Sequence, residues 1–423
     1  MRGELHYDAV VIGGGTAGLV AGARLAEGGA RVCVLTKGVG STHLAPATID
    51  VLGYDPDRVV SPSGAMAEFV AGHPDHPYAV LGTDAVAEAV RWFRARVDAG
   101  PLAGYRYLGD LDRNYLLPTA VGALRPSAVV PETMAAGDAV RVERTCVVGT
   151  RSLRDFHASL CAANLSRAGI SARSVEIEVE VDKADQNALG FARRFDDPAW
   201  RAAFAGRLAL KLQAHERVGL PAMLGLRDPH GVWSDLERRL GRPVFEIPTL
   251  PPSVPGMRLY EILRSTLRRA GGRLVVGAEV VSAERSGSRV TSVATRSAGH
   301  DARYAAPWFV LAAGGFNSGA IELDSRWDTH DRVLGLPLRG LPAEGGPRFV
   351  GDYLAEQPMA RVGVAVDGEL RAEGAENVVV AGAALPGAVP WREGSGEGIA
   401  LASGSHAAEL VIAQSGAPAG AAA

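Results

Sequence analysis

The sequence predicts an α/β fold in which one parallel sheet is interrupted by a second α/β segment. Three observations lead there. An apolar, β-branched run from Ala9 to Ile12 breaks directly into Gly13, Gly15 and Gly18 and then into the helix-forming stretch Leu19–Ala26. Strand-like and helix-like stretches alternate between about residues 144 and 247, the pattern a parallel sheet requires. A late apolar run from Asn377 to Val380 again gives way to small residues and a glycine-rich loop.

Strand, glycine turn and helix in that order form a dinucleotide-binding unit. Gly13 permits a tight turn, Gly15 lets the backbone approach a pyrophosphate, and Gly18 lets the helix pack closely on the strand. The helix N-terminus beside Thr16 and Ala17 presents free N–H groups and a partial positive charge to an anion. Ala30–Thr36 supplies the second strand at the length of a compact unit. Such units usually close that strand with Asp or Glu, which holds the adenosine ribose; here it ends Thr36-Lys37-Gly38. A free NAD site loses ground, and a flavin held by other parts of the chain remains.

Composition sets the outer limits. The 423 residues suit two or three domains; 47% hydrophobic content, 22% charged content and a net charge of −3 describe an ordinary globular protein. Dispersed basic residues and few aromatics argue against a nucleic-acid surface. Cys33, Cys146 and Cys161 lie far apart and cannot by themselves hold an iron–sulfur cluster, which usually needs four thiolates. Sparse, odd cysteines fit a reducing cytoplasm. Glu4 and Asp8 stand where a signal peptide would be basic, and no window of 18 uninterrupted apolar residues occurs, so any membrane association is expected to be peripheral.

Along the chain, the loop Gly40–Gly53 is small and polar, and residues 54–80, rich in Pro, Gly and His, read as loop. His73 and His76 are each followed by Pro and lack ordered ligand spacing, so a structural loop is expected rather than a metal site. Helices are expected at 83–97, at Ser152–Ala168 with Ser152 as N-cap, at about 197–217, at Ser234–Leu240 and at Arg258–Arg269. Strands are expected at Arg144–Gly149, Ser174–Val181 and Pro243–Ile247. Arg273–Val276, Glu279–Glu284, Val290–Thr295 and Arg303–Ala305 read as an antiparallel meander. Trp308–Ala312 reads as a strand that breaks at Ala313-Gly314-Gly315. Gly394–Ala400 opens a last helix reaching about Ile412. The domains expected are a nucleotide-binding segment at 1–60, a connecting region at 61–140 and an inserted α/β domain at 141–247. The nucleotide-binding domain returns at 248–413, and a frayed tail occupies 414–423.

Several segments together resemble the B subunit family of anaerobic glycerol-3-phosphate dehydrogenase. They are Val11–Gly22, the Thr42–Gly53 loop, His76–Gly82, Pro248–Val254 continuing to Leu259, Phe309–Gly319 and Gly394–Ala407. The resemblance covers most of the chain and implies an FAD/NAD(P)-binding Rossmann-like fold of the fumarate-reductase-like flavoprotein type. It implies oxidation of sn-glycerol 3-phosphate to dihydroxyacetone phosphate, with electrons passed to quinone. Two partners from the same complex are implied, one catalytic and one carrying iron–sulfur clusters. The iron–sulfur partner holds the assembly on the cytoplasmic face of the membrane. The resemblance implies FMN, whereas the Gly13–Gly18 loop is built for a pyrophosphate, as in FAD.

The cofactor contacts expected are Gly13, Gly14, Gly15, Thr16, Ala17, Gly18, Thr36, Lys37, Ser41, Thr42, Ala313, Gly314, Gly382, Gly396, Gly398 and Ile399. Many related folds carry Gly-Asp where this chain has Gly382-Ala383. The residues around His43 differ from the covalent-flavin loop of fumarate-reductase-type enzymes, so a non-covalent flavin is expected. Oxidising a secondary alcohol needs a base and a hydride acceptor, and a phosphate favours arginine. His43 is the candidate base or flavin neighbour. Arg258 is the candidate phosphate or flavin contact, or else a surface residue paired with Glu261. Two other readings stand beside this one: a stand-alone fumarate-reductase-like oxidoreductase, and a cofactor-free scaffold. The first needs a set of substrate arginines and a Gly-Asp motif; the second predicts no flavin.

Overall fold

The structure, a computed structural model, describes residues 4–141, 144–179, 181–182, 186–296 and 301–415. The chain divides into two compact units. One comprises the residues up to Ser41, Ser63–Phe93 and the residues from Leu263 on; the other comprises Thr42–Pro62 and Arg94–Ile262. Residues 63–93, read from the sequence as connector, thus belong with the nucleotide-binding segments.

In chain order the principal elements begin with β1 (Ala9–Ile12), α1 (Thr16–Glu27), β2 (Val32–Thr36), α2 (Pro62–Gly72) and α3 (Pro77–Asp98). Next come β3 (Arg144–Gly149), α4 (Ala158–Arg167), β4 (Ala172–Glu176), α5 (Ala188–Phe195), α6 (Pro198–Ala209), β5 (Glu216–Pro221), α7 (Pro229–Leu240) and β6 (Val244–Ile247). The chain continues with α8 (Val254–Arg269), β7 (Arg273–Val276), β8 (Glu279–Ser286), β9 (Arg289–Arg296), β10 (Ala302–Ala305), β11 (Trp308–Leu311), β12 (Val378–Val380) and α9 (Gly396–Ser415).

The first unit is built on a five-stranded sheet in the order β7-β2-β1-β11-β12, parallel throughout. Its central strands are apolar without alternation because helices or loops cover both faces; Val10, Val11, Phe309 and Val310 are fully buried. Each such side chain contributes roughly 1.5–3 kcal/mol relative to exposure. Helices α1 and α9 pack closely through small residues. A Cβ on Gly404 would lie 2.5 Å from the Ala17 carbonyl oxygen, and one on Gly28 would lie 2.5 Å from Ile412. The second unit carries a parallel sheet in the order β4-β3-β5-β6. Its core draws Val147, Phe156, Phe191, Phe195, Leu220 and Phe245 from strands and helices alike.

The α/β architecture expected from the sequence is present, with corrections to its pieces. Residues 54–80 are not loop throughout, because α2 and α3 start within them. Both open on proline, which suits a helix's first turn, and Met66 and Phe69 are buried. Helix α3 breaks its geometry at Gly82, where φ is 72°. The helix expected from Ser152 starts only at Ala158; the Ser152 hydroxyl instead donates to the Val179 carbonyl at 3.2 Å. The helix expected across 197–217 is one helix followed by a strand. Asp197 caps it by accepting from the Ala199 N–H at 2.9 Å, α6 ends at Ala209, and β5 has begun by Glu216. Helix α7 starts at Pro229, capped by Asp228, five residues before Ser234. Strand β7 belongs to the parallel sheet beside β2, so the antiparallel meander is β8-β9-β10 alone. Residues 414 and 415 continue α9, and the rest of the expected tail lies outside the described residues, as does Glu180 of the strand expected at Ser174–Val181.

Candidate functional site

The glycine turn between β1 and α1 sits at the carboxyl ends of the first unit's parallel strands. Gly13 takes φ 118°, and a Cβ there would fall 2.1 Å from the Ala312 carbonyl oxygen. At Gly14 a Cβ would lie 2.8 Å from the Thr36 side chain. Gly15 differs: nothing lies within 4 Å of where its Cβ would be. It stands at the N-cap of α1, whose first turn carries no acidic residue and whose cap has no side-chain hydrogen bond. Gly40, with φ 67°, comes so close that its Cβ would be 2.9 Å from the Gly15 Cα. These glycines keep side chains away from a helix N-terminus with open N–H groups and favourable dipole, the requirement for an anion such as a pyrophosphate.

Other residues expected to contact the cofactor follow the neighbouring strand ends of the same sheet or open α9. Thr36 is buried, and its hydroxyl is engaged with the Gly38 backbone, while Lys37 is exposed beside it. Ala313 and Gly314 follow β11, with Gly314 at φ 84°. Gly382 follows β12 at φ 68°, where a Cβ would crowd Ala17 at 2.8 Å. Its N–H donates to the Ser403 hydroxyl at 2.8 Å, which ties this turn to α9. Gly398 and Ile399 are buried and Gly396 half-buried in the first turn of α9. Ser41 is exposed at the end of its segment. Thr42, His43 and Arg258 belong to the second unit.

Sequence reasoning missed Gly40 and Ser403, and it also missed a buried network that holds the start of α9. The His76 Nδ1 accepts from the Tyr78 N–H at 3.1 Å, which leaves the proton on Nε2, 3.2 Å from the Glu393 carboxylate. That carboxylate also accepts from the Ser395 hydroxyl at 2.8 Å and the Val389 N–H at 2.7 Å. Burial pushes the Glu393 pKa up, but the His76 contact and the other two donors outweigh it and hold it below the usual value. Ser395 in turn accepts the Ile399 N–H at 3.0 Å through its carbonyl, the first bond of α9. His76 is deeply buried and ties its own segment to the start of α9. Among the described residues no group of His, Cys, Asp and Glu is arranged to hold a metal ion.

His43 is half-buried, its ring edge on Tyr260 at 5.0 Å, and its carbonyl accepts from the Ser253 N–H at 2.8 Å. Burial lowers its pKa, so the ring is held toward the neutral form that can accept a proton. Arg258 is corrected outright. Its side chain is fully buried, as is that of Glu246, and the two form a bidentate pair at 2.6 and 3.0 Å. The remaining donors bind the Gly225 carbonyl at 2.7 and 3.0 Å. Arg258 is therefore neither a surface residue nor free to take a phosphate.

Glycines clearing a helix N-terminus at the carboxyl ends of a parallel sheet define a dinucleotide-binding protein of the flavoprotein class. The FAD binding domain family matches residues 8–399. Over 96% of its length the chain is 33% identical to the B subunit of anaerobic glycerol-3-phosphate dehydrogenase from Pectobacterium atrosepticum, covering 99% of that protein. It is 31% identical to the protein of the same name from Yersinia pseudotuberculosis, over 97% of this chain and 99% of that one. The chain belongs to the FAD binding domain family and, within it, to the family of anaerobic glycerol-3-phosphate dehydrogenase B subunits. Among solved structures, 3-ketosteroid delta1-dehydrogenase from Sterolibacterium denitrificans aligns over 97% of this chain and 100% of that one, with 13% identity and a TM-score of 0.46.

Proposed function

We propose that the chain is the flavin-carrying member of a multi-subunit glycerol-3-phosphate dehydrogenase. The complex oxidises sn-glycerol 3-phosphate to dihydroxyacetone phosphate and passes the electrons to quinone. The observation that carries this reading is the bare glycine cradle over the α1 N-terminus. A pyrophosphate fits that cradle, which favours FAD over FMN, since FMN has none. Bound there, the flavin supplies hydride acceptance from a secondary alcohol.

The chain's own residues do the rest. The N–H groups around Gly15 and Thr16 offset the pyrophosphate charge, and Lys37 adds a cation at the strand end where related proteins place an acid. Gly314 and Gly382 keep side chains clear, and the α9 N-terminus offers N–H groups and a favourable dipole to the cofactor. His43 is the candidate acceptor for the hydroxyl proton. The partners in this reading are the catalytic and the iron–sulfur members of the same complex. No helix among the described residues is long and apolar enough to cross a membrane, so attachment at the cytoplasmic face is assigned to a partner.

The test is the visible spectrum of the purified chain, followed by acid release and chromatography of its cofactor. Stoichiometric FAD supports the reading in full. Stoichiometric FMN keeps the redox role but removes the pyrophosphate role of the cradle. A folded chain without flavin refutes the proposal and leaves a scaffold.

A further inference from the structure

One stretch of the first unit turns large apolar side chains to solvent on a backbone that holds them there. Ile321–Leu323 pairs with Thr329–Asp331 as an antiparallel hairpin, and Trp327 stands in the loop at its tip. Trp327 takes φ 67°, a left-handed conformation that a bulky residue adopts only where its surroundings impose it. The Asp324 carboxylate accepts from the Arg326 and Asp328 N–H groups at 2.8 and 3.0 Å. The Trp327 N–H donates to the Asp324 carbonyl at 3.0 Å, and Arg348 donates to the Trp327 carbonyl at 2.7 Å. Nothing in the chain buries the residue so held; it is 56% exposed.

Phe349 meets the indole edge-on, with 6.1 Å between ring centres, and is itself 52% exposed. A second pinned turn follows it. The Asp352 carboxylate accepts from the Leu354 N–H at 2.9 Å, and the Gln357 side chain bridges the Asp352 carbonyl and the Val350 N–H at 3.0 Å each. That turn leaves Tyr353 90% and Leu354 78% exposed. Large side chains offer about 150–250 Å² each when fully exposed, so these four present on the order of 500 Å². Such an area matches the largest apolar patch of an ordinary monomer and exceeds half of the roughly 800 Å² that each side of a standard interface contributes.

Charge selects what covers it. Residues 324–357 hold six carboxylates against four arginines. Arg332 is engaged with Glu279 and Glu322, Arg339 with Glu373, and Arg348 with the Trp327 carbonyl. Asp328, Glu344 and Asp352 are exposed and form no ion pair among the described residues. A rim of that sign is repelled by an anionic lipid surface and by a second copy of itself, and is drawn to a basic one. We propose that Trp327, Phe349, Tyr353 and Leu354 form the face on which another subunit of the same complex docks. That subunit presents an apolar pocket ringed by Lys and Arg, with the Trp327 indole as its anchor. Aromatic anchors fixed in place before binding carry a large share of an interface's energy. The assignment rests on the multi-subunit function proposed above.

Three variants test it. Trp327→Gly removes the indole where glycine takes the same φ without strain, Tyr353→Ser removes an exposed ring, and Glu344→Lys reverses one rim charge. Each, like the wild type, is tagged and expressed with the catalytic and iron–sulfur subunits of the complex. Three quantities are measured: the thermal midpoint of the full chain, the flavin retained through purification, and the partner subunits held on the tag. All three variants keep midpoint and flavin. The partner held falls about tenfold or more in Trp327→Gly and Tyr353→Ser, and severalfold in Glu344→Lys. A Trp327→Gly midpoint that drops shows that the indole serves the chain's own packing and overturns the proposal. Partner yields in Trp327→Gly and Tyr353→Ser equal to the wild type overturn it too. So does self-association, or binding to phosphatidylglycerol vesicles, that these variants abolish while the partners stay bound. In each of these cases the wild type still holds its flavin and partners, so the functional reading stands. A wild type that holds neither subunit overturns the docking face and the multi-subunit reading together.

Discussion

The Arg258–Glu246 pair offers the sharpest test of how the second unit is put together. Both side chains are fully buried, and Glu246 also accepts from the Leu224 N–H at 2.8 Å and the Thr133 hydroxyl at 2.7 Å. Arg258→Met keeps the length and apolar stem but leaves a buried carboxylate without its cation and the Gly225 carbonyl without its donor. Removing one partner of a buried pair costs about 3–5 kcal/mol, against a total of roughly 5–15 kcal/mol for a native domain. At roughly 2–4 °C per kcal/mol, the midpoint of the second unit falls by about 6–20 °C. Adding Glu246→Gln removes the stranded charge while retaining an acceptor for Leu224, so the double variant recovers roughly 1–3 kcal/mol relative to Arg258→Met. Urea unfolding followed by circular dichroism measures all three, with an unchanged slope as the check that only stability has moved. Should Arg258→Met unfold like the wild type and bind glycerol 3-phosphate poorly instead, the guanidinium contacts ligand and the buried-pair argument is wrong.

Other expectations follow from the same geometry. Gly15→Ala keeps the wild-type midpoint, since no atom lies within 4 Å of the new Cβ, but loses flavin; Gly13→Ala loses flavin and stability together, because its Cβ meets a carbonyl at 2.1 Å. Equal melting of the two variants contradicts this. Burial raises the Asp235 pKa, but Arg239 and Arg201 more than reverse this and bring it to about 2. The contribution, roughly 2 kcal/mol, is therefore complete above the unfolded value of about 4 and fades as pH falls from there toward 2. The stability gap between wild type and Asp235→Asn, followed by urea unfolding, should narrow over that window and stay constant above it. Burial pushes the thiols of Cys33 and Cys146 up to about 11 and that of Cys161 to about 12. All three should ignore a thiol reagent at pH 8 until the chain is unfolded, and rapid labelling of the native protein would contradict their burial.

What could be read from the sequence was what short-range chemistry dictates. Gly13, Gly15 and Gly18 stood out because their spacing between an apolar strand and a helix-forming stretch lies within ten residues and needs no distant partner to be seen. Strands such as Ala9–Ile12 and Trp308–Leu311 stood out because burial on both faces leaves an unbroken apolar run. What stayed hidden depends on distant partners. Nothing near His76 announces Glu393, 317 residues away, and nothing near Arg258 says that the helix face bearing it turns inward onto β6. The expected helix at 197–217 overran for a local reason: after Ala209 the chain turns through Gln213 and His215 into β5, and that turn was read through as helix.

The order of strands in the first unit sets a timetable for its assembly. Strand β1 lies between β2 and β11, whose residues are 32–36 and 308–311, and β12 closes the sheet only at 378–380. At roughly 5–20 residues per second of synthesis, β1 and β2 wait on the order of 20–70 s before β12 exists. The second unit's sheet draws its strands from 144–247 and needs no such wait. The newborn chain therefore carries an apolar, open-edged strand pair past a neighbour that is already able to fold, the situation in which chaperones and strand mispairing matter most. A ribosome halted before residue 378 leaves a chain able to build its second sheet but not its first.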